Sequence, residues 1–177
     1  MPIVRVLDAR EIGADAERLR AWARAESTAR EASHVSRSYC HPYAVVAWHN
    51  APLGVDLVRI APCDARFAQL ICTPDERVDA ARAADRDAHL SALWAGKEAL
   101  AKALGRPLDY EPGRLTAPLA WPGGTSGPWR ARPCAVPEGH VAWLVWREVT
   151  DPRRRGATVR ERSEDRRAVA GRGAPGA

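Results

Sequence analysis

The order of elements in this sequence predicts an α+β fold, an antiparallel sheet with helices packed on it. Three observations carry that reading. Two apolar, β-rich runs, 43–48 and 53–60, flank a turn at His49-Asn50-Ala51-Pro52 and read as a hairpin. A long helical pattern follows, from about 87 to 104. Two further apolar runs, 129–136 and 141–148, close the chain as an antiparallel pair around Pro137-Glu138-Gly139-His140.

The remaining elements fall between these. Residues 2–7 alternate apolar and polar side chains and predict a short strand. Residues 14–32 predict a helix with Leu19 and Trp22 toward the core. The stretch 34–40, His-Val-Ser-Arg-Ser-Tyr-Cys, is polar and reads as a loop. Thr73-Pro74-Asp75-Glu76 is a helix start: Thr73 caps, Pro74 suits the first turn and Glu76 closes a capping box. That helix should reach about Ala84, and Gly105 should stop the next one. Residues 106–128 are rich in Pro and Gly and read as loops, with one short strand around 114–120.

The chain has 177 residues, 46% of them hydrophobic, enough for one sizeable core. We place one domain at 1–150 and a tail at 151–177. The tail holds eight Arg against four acids, Asp151, Glu161, Glu164 and Asp165, and so carries +4 of the net charge of +5. It has almost no apolar content and should be disordered and solvated. No aromatic residue interleaves its arginines, so nucleic-acid binding is not expected. No apolar run is long enough to span a membrane. The start, Met1-Pro2-Ile3-Val4-Arg5-Val6, lacks a signal-peptide core, and Cys40, Cys63, Cys72 and Cys134 are scattered. A cytoplasmic protein with reduced thiols is the expectation.

Of 27 basic residues only two are lysines, Lys97 and Lys102, and both lie on the long helix. A coding bias toward Arg has spared these two sites, which points to a demand for a compact ammonium. On a helical wheel Leu90, Leu93, Trp94, Leu100, Ala101 and Leu104 form one apolar arc, and Lys97 falls near its middle. Glu98 and Lys102 sit at its edge at i,i+4 spacing, which by itself describes a surface ion pair. Asp56 is the odd residue of its strand, a carboxylate in an apolar run just after Gly54. It either reaches water at an edge or needs a buried partner. Two carboxylates from separate elements can hold one Mg²⁺, and a lysine one turn on can neutralise phosphate oxygens. Spacing and residue type alone thus point to Mg²⁺-dependent phosphate chemistry.

Gly54-Val55-Asp56 followed by Trp94-x-x-Lys97-Glu98-Ala99-x-x-Lys102-x-x-Gly105 resembles the signature of the 4'-phosphopantetheinyl transferase superfamily. His34-Val35-Ser36-Arg37-Ser38 is similar to its N-x-S-H-S segment. Arg66-Phe67 with Thr73 and Glu76 is similar to its R-F/F-x-x-x-E region. The resemblance spans about residues 33–148. It implies transfer of the phosphopantetheine arm of coenzyme A, the co-substrate, to a serine of an apo acyl or peptidyl carrier protein. It implies Asp56 and Glu98 as Mg²⁺ ligands and Lys102 at the pyrophosphate. Lys97 would sit near the phosphates or orient Glu98, and Ser36 and Arg37 would approach the adenosine-side phosphate. The serine proton would go to Glu98 or to a metal-held water. Two departures stand out. Val58 occupies the place of a third metal ligand in the surfactin-type branch, and Arg37 replaces a His. Only 53 residues precede Gly54, so either the first lobe, 1–32, is abbreviated or a second subunit completes the cleft. The other reading of these departures is a relative that binds coenzyme A or a carrier protein without transfer.

Overall fold

The computed structural model describes residues 1–106 and 109–149. Seven strands and four α-helices run in the order β1 (Ile3–Asp8), α1 (Ala16–Thr28), β2 (His34–Cys40), β3 (Tyr43–His49), β4 (Leu53–Arg59), α2 (Ala65–Ile71), α3 (Pro74–Arg82), α4 (Arg86–Ala103), β5 (Thr125–Ser126), β6 (Trp129–Pro133) and β7 (His140–Arg147). Short 3₁₀ turns fill the Pro- and Gly-rich stretch, at Pro112–Arg114, Pro118–Ala120 and Pro122–Gly124. The expected strand near 114–120 is therefore a pair of turns, because prolines at 112 and 118 set helical φ and remove ladder donors. The α+β class holds. None of the described helices is long and apolar enough to cross a membrane. The Arg-rich tail from Asp151, expected to be disordered, lies outside the described residues.

The strands form two antiparallel sheets rather than one, ordered β1-β3-β2 and β4-β7-β6-β5. The hairpin expected between 43–48 and 53–60 does not exist. Both edges of β3 are taken, by β1 and by β2, and β4 pairs with β7. The turn at 50–52 instead hands the chain from one sheet to the other, and Pro52 O already accepts from Arg147 N at 2.8 Å. The true hairpin is β2–β3, and its first arm is the polar stretch taken for a loop. Ser36 and Ser38 suit a strand there because their hydroxyls accept from Val55 N and Leu57 N, each at 3.0 Å. They satisfy the edge of β4 that β7 leaves free.

Strand alternation sorts the side chains into layers. On β3, Ala44, Val46 and Trp48 pack with Leu7, Leu19 and Ala23 under α1. Val45 and Ala47 turn the other way and meet Leu53, Val55, Leu57 and Leu144 of the second sheet. The opposite face of that sheet, with Trp143 and Val145, packs on Ala95, Ala99, Leu100 and Ala103 of α4. The helices α2 and α3 cover the start of α4 through Ile71, Ala80, Leu90 and Leu93. The predicted capping box is present: Thr73 Oγ1 accepts from Glu76 N, and Thr73 N donates to Glu76 Oε2. Gly105, at φ +74°, follows the end of α4, and Arg106 N donates back to Ala101 O at 2.8 Å.

Candidate active site

Gly54 and Asp56 are two residues apart on β4 and face the same side, toward α4. At Gly54 the strand and helix backbones nearly touch. A Cβ there would lie 2.0 Å from Ala99 O and 2.8 Å from Lys102 Cβ. Only hydrogen fits, so the glycine is what lets the strand lie on the helix. One strand step on, Asp56 then meets Lys102. Its Oδ1 is 2.6 Å from Lys102 Nζ, which also donates to Val55 O at 3.1 Å. The Ser38 hydroxyl donates to the same Oδ1 at 2.8 Å. Asp56 is only 6% exposed, so of the two sequence expectations for it, the buried partner holds and the watery edge does not.

Glu98 lies one turn before Lys102. The surface ion pair that their spacing offers is not what Lys102 makes, since it turns to Asp56. Glu98 Oε1 instead accepts from Tyr110 OH at 2.5 Å. Burial pushes the Asp56 carboxyl above its ordinary value, and the Lys102 ammonium and Ser38 hydroxyl pull it partway back. Burial also pushes Glu98 up. The Asp56 charge adds to that rise, while the Tyr110 hydrogen bond and Lys102 oppose it. Burial first, then the bond to Glu98, holds the Tyr110 phenol far above its ordinary value, so it is a donor at any working pH.

Asp56 and Glu98 thus belong to one cluster, close enough for the Asp56 charge to raise the Glu98 carboxyl. Two acids against one ammonium leave a net negative charge in a partly buried place, which a divalent cation relieves. Asp56 spends Oδ1 on both of its hydrogen bonds and Glu98 spends Oε1, so one oxygen of each makes no hydrogen bond to the described residues. Val58, the next β4 residue on this face, brings no oxygen, and no group of three or more His, Cys, Asp or Glu that could hold a metal occurs among the described residues. The donor set fits an Mg²⁺ that takes two protein carboxylates and fills its other positions with water and phosphate oxygens.

Lys97 departs from the expectation of a phosphate contact. It is 0% exposed, and Nζ donates to Ile71 O at 2.5 Å, Glu76 Oε2 at 2.5 Å and Pro112 O at 2.9 Å. All three ammonium protons are used, and none is left for a phosphate. Glu76 also accepts from Ala117 N at 2.7 Å, so the pair ties α2, α3 and the 112–117 turns to α4. The lysine in the apolar arc is an internal staple.

Ser36 is 9% exposed, and its hydroxyl is the acceptor for Val55 N. Arg37 lies in register with Val46, on the α1 side of its sheet, exposed, and its NH1 donates to Ser27 Oγ at 3.0 Å. Neither is among the residues that the structure gathers around Asp56, whereas Glu98 and Lys102 are. Three contributors went unread as site residues: Ser38, Tyr110 and Glu76. The alternation Ser36-x-Ser38 was a signal for the first. Glu76 was legible as a cap and as part of a family-like segment, not as the partner of Lys97. Nothing local marks Tyr110, which comes from the Pro-rich stretch after the helix.

Residues 52–120 match the sequence model of the 4'-phosphopantetheinyl transferase superfamily. The chain is also similar to the 4'-phosphopantetheinyl transferase psf-1 of Bacillus pumilus, with 33% identity over 89 residues, covering 49% of this chain and 38% of that protein. The chain thus spans well under two thirds of the length of that relative. The matched segment contains Gly54, Asp56, Glu76, Lys97, Glu98, Lys102 and Tyr110. By the segment that carries this cluster, the chain is similar to the 4'-phosphopantetheinyl transferase superfamily.

Proposed function

We propose that this chain transfers the 4'-phosphopantetheine arm of coenzyme A to a serine of an apo carrier protein, with Mg²⁺ at Asp56 and Glu98. The observation that carries the reading is the convergence of a strand carboxylate, a helix carboxylate and Lys102 in one partly buried cluster. In the reaction the serine oxygen forms a bond to the pantetheine-side phosphorus of the coenzyme A diphosphate. The bond from that phosphorus to the bridging oxygen breaks, and adenosine 3',5'-bisphosphate leaves with the electron pair. The serine proton passes to a base at the cluster, Glu98 or a water.

Mg²⁺, when bound, supplies charge neutralisation at the diphosphate. The chain's own residues supply the rest. Asp56 and Glu98 present oxygens from two rigid elements, which fixes where the cation and the diphosphate sit. Lys102 holds Asp56 at 2.6 Å. Its ammonium, on the same helix as Glu98, would neutralise phosphate oxygens and the developing charge of the leaving group. Ser38 holds Asp56 at its other flank. Ser36 and Lys97 act in this reading through the fold.

The test is incubation of the full chain with coenzyme A, Mg²⁺ and a panel of apo carrier proteins. A carrier that gains one phosphopantetheine by mass, and fails to with Asp56→Ala, supports the reading. Tight binding of coenzyme A with no gain on any carrier decides for a binding protein instead.

A further inference from the structure

Glu98 is a long, half-buried side chain on α4, with a lysine one turn away. Left alone, it has two costly freedoms. It can sample rotamers, at up to about 2 kcal/mol of entropy to fix. It can also fold onto Lys102, the ordinary i,i+4 pairing, and so turn away from Asp56. In the structure Lys102 pairs with Asp56 instead, and Glu98 Oε1 accepts from Tyr110 OH at 2.5 Å.

Described residues on both sides of the phenol are held by bonds of their own. Before it, Arg106 N is bonded to Ala101 O at 2.8 Å. After it, Pro112 O receives Lys97 Nζ at 2.9 Å, and Arg114 N donates to Glu111 O at 3.0 Å. Lys97 and Glu98 are neighbours on one helical turn. The first anchors the arm and the second receives its tip. A neutral O–H donor also suits the task. It fixes the carboxylate without cancelling its charge, as an arginine or lysine would, and the charge stays available to a cation.

We propose that Tyr110 is a positioning residue, whose hydroxyl holds Oε1 of Glu98 so that Oε2 is presented beside Asp56 to the divalent cation. The inference rests on the transferase reading and names the residue that aims its second carboxylate. Outer partners of this kind hold a ligand in its binding rotamer, and their loss weakens metal affinity by about 10–100-fold.

The experiment titrates the full chain with Mn²⁺ in the presence of coenzyme A and reads the loss of the free-Mn²⁺ resonance signal. Wild type, Tyr110→Phe, Glu98→Gln and the double variant form a cycle, and thermal melting in chelator checks each fold. Tyr110→Phe removes one oxygen from a half-buried ring, so its melting temperature should stay near that of wild type. Its Mn²⁺ affinity should fall by about 10–100-fold, and it should add little once Glu98→Gln is present. A merely structural tyrosine would lower the melting temperature and leave the metal term additive. Unchanged affinity in Tyr110→Phe, tighter affinity, or full additivity with Glu98→Gln overturns the inference. If Glu98→Gln weakens Mn²⁺ and Tyr110→Phe does not, the inference falls alone. If wild type binds no Mn²⁺, the metal site falls, and the inference with it.

Discussion

The Cβ that Gly54 lacks would lie 2.0 Å from the carbonyl oxygen of Ala99. No rotamer relieves that contact, since both partners are main chain. Gly54→Ala must therefore push β4 off α4, and the displacement opens the 2.6 Å contact between Asp56 and Lys102. Overpacking of this kind costs about 1–3 kcal/mol and more where the backbone has to move. We expect a loss of at least about 2 kcal/mol in urea unfolding, accompanied by weakened metal binding. A variant as stable as wild type would show that the strand tolerates the shift.

The two lysines part company under mutation. Lys97→Ala leaves Glu76 buried without its cation, and the expected cost is about 3–5 kcal/mol. Lys97→Met combined with Glu76→Gln removes both charges and should recover part of it. Lys102→Ala also unpairs a buried acid, but the lysine side chain is 23% exposed, so water replaces some of what is lost. It should unfold the protein far less while abolishing transfer. Chemical denaturation of the three variants beside a carrier-modification assay separates the staple from the cation proposed to act in transfer.

How far the sequence could be read follows the range of each interaction. The capping box at Thr73 and Glu76 and the burial of Lys97 were legible because each is set within one or two helical turns. The pairing of β4 was not. Two apolar runs across a short turn fit a hairpin locally, but β3 had already spent both edges on β1 and β2. The stretch 34–40 looked like a loop because its strand-stabilising partners are backbone N–H groups of a distant strand, met through serine hydroxyls. Asp56, Glu98 and Lys102 were singled out by their types and spacing and by the resemblance to a family, and the structure brings Lys102 onto Asp56. Tyr110 was not found, since its contact with Glu98 depends on how a Pro-rich segment folds back over the helix.

Ser38 does two jobs that Ser36 does only by half. Its oxygen accepts from Leu57 N at 3.0 Å and its proton goes to Asp56 Oδ1 at 2.8 Å, whereas Ser36 serves Val55 N alone. Ser38→Ala therefore orphans a buried donor and strips a partner from a buried carboxylate. The cost of an unmet buried group is about 1–3 kcal/mol, and Ser38→Ala should lie at the upper end with Ser36→Ala below it. Ser38→Ala should also lower affinity for Mn²⁺ and coenzyme A, which Ser36→Ala should leave closer to wild type. Equal effects of the two in both measurements would show that the bond to Asp56 contributes little.

His49, at the end of β3, gives the fold an acid-side weakness. Its Nε2 is buried with no hydrogen-bond partner among the described residues, and burial holds the imidazole below its ordinary value, only partly offset by a backbone contact at Arg147. The folded protein therefore takes up this proton at a lower pH than the unfolded chain does. As pH falls through the ordinary histidine range, about 6.5, the unfolded state binds the proton first and gains free energy. Stability should be full above that range and decline below it, until the folded state protonates too. Replacing the ring by an uncharged side chain, His49→Gln, should flatten this part of the curve between neutral pH and about pH 5.5. Melting temperatures of both proteins across that window check it. Parallel curves would place the acid sensitivity elsewhere in the chain.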